Sequence, residues 1–175
     1  MSRQPIPFED WQIKPHHLWN NQNLLLSSGD FSLSHYNCMT VGWGSFGTMW
    51  NRPFALVVVR PQRYTYEFTE KYDSFTLTAF PQSFAAALNS LGTKSGRDGD
   101  KIAEVGLTPI NASVVASPIF AEAELAVECK KIYWDELEPD HFLSSYIQLM
   151  YARRDYHRMY FGEIVAIAGE LQYQG

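Results

Sequence analysis

The chain has 175 residues, 46% hydrophobic and 19% charged, a balance that excludes a disordered segment and fits one domain (1–175) able to bury its own core. A net charge of −5 argues against a nucleic-acid partner, and two cysteines cannot build a disulfide framework or a Cys-rich zinc site. No apolar run approaches the roughly 20 residues of a membrane span, and the N-terminus lacks a secretory signal's apolar stretch, so a cytoplasmic protein without membrane contact is expected.

Residues 1–22 form an arm punctuated by Pro and Trp, without a helical or strand period. Asn23 to Ser28 and Phe31 to Tyr36, divided by Gly29-Asp30, predict a hairpin, and Asn37 to Trp43 continues in extended form. Gly42 to Pro53, with three glycines interleaved with Trp43, Phe46 and Trp50, predicts a loop. Phe54 to Val59 is short, apolar and Val-rich, as in a buried strand. A helix is expected from about Thr65, as N-cap, to Lys71. Ser74 to Phe80 alternates strictly and predicts a half-buried strand. Phe84, Leu88 and Leu91 fall at helical spacing, with Gly92 as the C-cap, and Asp100 to Val105 adds a helical turn. Two long strands, Glu124 to Tyr133 and Tyr156 to Ala168, flank an irregular or helical stretch around Pro139 to Met150. The aromatic content, 15%, also favours strands. The sum is a mostly β fold, a small antiparallel barrel with peripheral α-helices.

Arg60, Arg63, Lys94, Arg97 and Lys101 gather at two chain positions that also hold turn-formers. An arginine fork holds a phosphate bidentately, and the N–H groups at a helix start add donors. Ser95-Gly96 adds a hydroxyl and a pliable backbone. The alternative is a solvated basic turn pairing with Glu67 or Asp98. Asn37, Thr40 and Trp43 lie in an extended segment whose polar groups suit the edge of a planar ring, or simply an edge strand in water. His157 stands in an amphipathic strand, where histidines are more often structural than catalytic. Cys38 and Cys129 read as buried inert thiols, and no histidine has metal-ligand spacing to a carboxylate or cysteine.

Several pieces in order resemble the flavin reductase-like FMN-binding split-barrel family, in particular its flavoredoxin-like branch. They are Asn37-x-Met39-Thr40-x-Gly42-Trp43-Gly44, Trp50-Asn51-x-Pro53 and Arg60-Pro61-x-Arg63-Tyr64-Thr65. Gly92-Thr93-x-Ser95-Gly96-Arg97-Asp98-x-Asp100-Lys101 and His157-x4-Gly162-Glu163 follow. The resemblance covers roughly Asn23 to Val165. It implies that Asn37, Met39, Thr40, Val41, Gly42 and Trp43 flank the isoalloxazine of FMN. It implies further that Gln62, Arg63, Tyr64 and Thr65, entered from Arg60, hold the phosphate, and that Ser95, Gly96, Arg97 and Lys101 complete the pocket. His157 would stand where a nicotinamide docks, orienting NADH or NADPH. Gly42 stands in place of a common serine and Leu91 in place of a common cysteine.

An NAD(P)H-dependent flavin oxidoreductase acting on free flavin or another acceptor is the first expectation. An electron carrier reduced by a partner protein, without a productive nicotinamide site, is the second, and a module using FMN structurally is the third. A homodimer is expected from the resemblance and from the unburied aromatic arm and loop.

Overall fold

The computed structural model describes residues 3–175, so the first two residues of the arm lie outside the described residues. In chain order the strands and helices are β1 (Gln4–Pro5), β2 (Leu24–Asp30), β3 (His35–Val41), β4 (Gly44–Met49), β5 (Arg52–Val59) and α1 (Tyr64–Lys71). Then come β6 (Ser74–Ala79), α2 (Ala85–Thr93), α3 (Lys101–Glu104), β7 (Pro109–Ile110), β8 (Ile119–Phe120), β9 (Leu125–Glu136), α4 (Ser145–Leu149) and β10 (Arg158–Gly169). No helix among the described residues is long and apolar enough to cross a membrane.

The main sheet is antiparallel and runs β3-β2-β6-β9-β10-β5-β4, with β1 added on β10. Its two ends, β3 and β4, do not pair, yet only Gly42 and Trp43 separate them in the chain. The sheet is therefore rolled into a barrel that stays split beside β3. Leu24, Leu26, Met39, Val57, Leu77, Val127 and Tyr160 fill the interior. The alternate residues Leu25 and Cys38 face outward and pack with Leu88, Leu91 and Ile102 under α2 and α3. Period-two alternation thus supplies two cores from one sheet. Both cysteines are fully buried and free, and desolvation raises both thiols, Cys38 to about 12, which makes them inert.

Several boundaries differ from the sequence expectation. The first hairpin turns at Phe31–Ser34, not at Gly29-Asp30, because Asp30 Oδ1 accepts hydrogen bonds from Ser32 N, Ser32 Oγ and Leu33 N. The expected loop Gly42 to Pro53 is a second hairpin, β4 on β5, whose turn residues Trp50 and Asn51 take φ of 52° and 57°. Gly44 is needed there: a Cβ would lie 2.4 Å from Leu56 O and from the Trp19 ring. β6 is buried on both faces, its hydroxyl face satisfied beneath the 117–118 segment by Ser74–Ser117 and Thr76–Pro118 hydrogen bonds. Arg63, not Thr65, caps α1, while Gly92 lies inside α2 and Lys94 ends it. The arm is structured too, through β1 and a π-helical turn at His17–Gln22 that buries Leu18 and Trp19.

Candidate functional site

The split in the barrel brings together four chain pieces: β3, the end of β5 with the start of α1, the 93–101 loop, and the segment leading into β10. Because β3 ends the sheet order, one edge of its backbone is left for a ligand. Across that edge, Asn37 Nδ2 donates to Thr65 Oγ1 at 2.8 Å, so the hydroxyl expected to cap α1 ties the helix to the strand. Gly96 packs against the pair so closely that a Cβ would lie 2.3 Å from Asn37 Oδ1.

A cavity of about 130 Å³ opens at this junction, lined by Asn37, Met39, Gln62, Arg63, Tyr64, Thr65, Ser95, Gly96 and Lys101, with Thr93 and Lys94. Nine of the expected site residues therefore converge. Arg63 donates to Gly92 O. Lys101, 5% exposed, donates to Leu91 O at 2.9 Å and Lys94 O at 3.1 Å. Neither pairs with a carboxylate among the described residues. Burial, with Arg60 nearby, lowers the affinity of Arg63 for its proton. Burial first, and the Arg63 charge among the lesser causes, does the same to Lys101. A half-buried guanidinium and a buried ammonium that repel each other and meet only carbonyl dipoles form a site suited to an anion.

A larger cavity, about 600 Å³, adjoins it through Met39, Gln62 and Arg63 and is walled by Arg60, Arg153, Asp155 and His157. Arg60 is held by Asp155 Oδ2 at 2.7 Å and donates to Met150 O, while Gln62 shares the same carboxylate oxygen. His157 Nδ1 lies 2.7 Å from the Tyr151 hydroxyl, and Trp43, 49% exposed, packs against the same imidazole with its ring tilted and 5.1 Å away. Burial, helped by the Arg60 charge, depresses the His157 pKa to about 4. The ring is neutral at pH 7 and is suited to orienting a ligand by hydrogen bonding rather than to delivering a proton.

The remaining expected residues go elsewhere. Val41 is buried in the barrel interior. Thr40, on the opposite face of β3, and Gly42, just past its end, line a cavity of about 320 Å³ shared with Asn23, Leu88 and Thr93. Arg97 pairs with Glu67 and lies over the Tyr64 ring at 4.7 Å, the solvated-turn alternative, and does not line either of the two joined cavities. Tyr151 and Asp155 were missed by sequence reasoning; the only signal was their closeness in sequence to His157. No cluster of three metal-ligating side chains exists among the described residues.

A family described as a flavin reductase-like domain matches residues 24–172. Among solved structures, flavoredoxin of Desulfovibrio vulgaris (Miyazaki F) superposes with a TM-score of 0.67 at 23% identity, over 91% of this chain and 73% of that one. An FMN-binding domain of a flavin reductase-like enzyme from Shewanella baltica OS155 gives 0.64 at 21%, over 93% and 80%. The NADH:FAD oxidoreductase of Streptomyces globisporus C-1027 gives 0.63 at 14%, over 83% and 73%. At these identities the superpositions establish the fold, the split barrel. No curated protein matches the chain.

Proposed function

The chain belongs to the flavin reductase-like domain family, and from that premise we propose an FMN-dependent oxidoreductase that takes electrons from NADH or NADPH and passes them to free flavin or another acceptor. The observation that carries this reading is the cradle in which Arg63 and Lys101 converge without a carboxylate, beside the open edge of β3.

The residues present fit FMN. The small cavity offers a guanidinium, a buried ammonium and the Ser95 hydroxyl to a terminal phosphate. The larger one, bounded by Met39 and His157, is big enough for a planar ring system. FMN supplies the redox chemistry when bound; the protein supplies binding, orientation and electrostatics. Arg63 and Lys101 hold the phosphate and so fix the register of everything attached to it. Arg60, anchored by Asp155, keeps positive charge beside the ring site. His157, neutral and held by Tyr151, orients a nicotinamide without exchanging a proton.

One observation supports a second reading, an electron carrier reduced by a partner protein: the Trp43 ring lies against His157, where a nicotinamide would dock. Anaerobic mixing of the FMN-loaded protein with NADH and with NADPH separates the two. Bleaching of the flavin by either nicotinamide supports the reductase; no bleaching by either, with retained FMN, leaves the carrier. In both readings the protein is a cytoplasmic homodimer.

A further inference from the structure

Away from the cations of the split barrel, the structure carries a second built cavity of opposite character. It measures about 460 Å³ and lies between the N-terminal arm, the Pro81–Gln82 turn and the C-terminal turn. Among its lining residues is Glu124, only 9% exposed. Glu124 Oε1 accepts from Tyr173 Oη at 2.5 Å and from Gln22 Nε2 at 2.6 Å. Gln22 is itself fixed, because the same nitrogen donates to Phe80 O at 2.9 Å. Burial, then the bond to Glu124, raises the Tyr173 pKa, so the phenol keeps its proton and remains a donor.

Both side-chain hydrogen bonds to Glu124 fall on Oε1, none among the described residues on Oε2, and the residue lines the cavity. A carboxylate sunk this far with one oxygen undonated carries a desolvation cost that a cationic donor would offset. Ile13, Leu18 and Pro81 form apolar walls above it. Lys14 stands exposed among the lining residues, where it opposes a second positive charge.

We infer that this cavity is a binding site for a small organic monocation with an ammonium or amidinium head, seated on Glu124 Oε2 with its apolar body between Leu18 and Pro81. The head donates to Oε2, and the single positive charge distinguishes the ligand from polyamines, which Lys14 disfavours. Gln22, Pro81 and Gln82 also line the cavity that holds Thr40 and Gly42, so the bound cation lies beside the outer face of β3. The inference goes beyond the flavin reading and stands without it, since neither Arg63 nor Lys101 takes part.

Calorimetric titration of the whole protein with benzamidinium chloride, against neutral benzamide, tests it. The cation is expected to bind saturably and benzamide at least roughly tenfold more weakly, the value of one charge-assisted bond. Glu124→Gln is expected to abolish that preference. Lys14→Glu, a change at an exposed position, is expected to tighten the cation several-fold with FMN affinity unaltered, so the test stands even if the buried variant fails to fold. Equal affinities for cation and amide, no saturable heat, or a Lys14→Glu protein no tighter than the wild type would each overturn the inference. FMN titration of the same samples reports separately on the flavin reading.

Discussion

Arg63 and Arg97 look alike in the sequence, each a basic residue beside turn-formers, but their partners differ. Arg63 meets only Gly92 O, whereas Arg97 is neutralised by Glu67 and laid over Tyr64. Arg63→Ala is therefore expected to cut the preference for FMN over riboflavin by roughly tenfold or more, a charge-assisted bond being worth about 1.5–3 kcal/mol. Arg97→Ala should change it by less than about threefold, since an exposed ion pair contributes ~0–1 kcal/mol. Competitive titrations on both variants check the difference, and equal losses would contradict it. His157 gives a pH signature. Its folded pKa, about 4, lies below its ordinary 6.5, so the unfolded chain takes up a proton first as the pH falls. Its contribution is complete above about 6.5 and drains away down to about 4. Denaturation of His157→Asn is expected to show a shallower loss of stability across that window than the wild type; an identical slope would refute the assignment. The sequence marked His157 and Arg63 through local spacing. It did not mark Tyr151 or Asp155, because what gives them a role is the return of the chain to the end of β5.

Elements were legible where periodicity was strong and burial one-sided. β5, β9, β10 and α2 lie close to their expected positions because each contains an apolar run or helically spaced apolar residues. β4 escaped because Gly44, Gly47 and exposed Ser45 break any alternation, and what makes it a strand is pairing with β5. Its glycines serve close approach rather than looseness. Gly44→Val would drive a side chain into Leu56 O and Trp19, and is expected to destabilise the protein by at least about 1–3 kcal/mol, the usual cost of overpacking. A melting temperature equal to that of the wild type would show that the hairpin yields there. β6 was placed correctly but read as half-buried, because hydroxyl-bearing residues look solvent-facing in sequence. Only the tertiary cover from the 117–118 segment turns Ser74 and Thr76 inward.

At the scale of the molecule, the sequence conveyed the barrel and its family through ordered motifs, while the split itself follows from which strands do not pair. It did not convey that β3 serves two faces, with Asn37 and Met39 on the cation-lined cavity and Thr40 and Gly42 behind it. At the tip of the β4–β5 hairpin Trp50, 58% exposed, packs tilted against Tyr133 and edge-on to Phe161. Exposed aromatic surface of this kind suits an interaction site, and a second copy of the chain, by two-fold symmetry, is the proposed occupant. Sedimentation equilibrium should give a dimer at micromolar concentration, and Trp50→Glu should weaken it. A monomeric wild type would contradict that expectation. Arg63 and Lys101 are proposed to hold a phosphate beside the larger cavity. One calorimetric comparison of FMN with riboflavin on the wild-type protein tests that role most directly. One FMN per chain, bound at least roughly tenfold tighter than riboflavin, is expected; equal affinities, or no binding of FMN, would contradict the phosphate role.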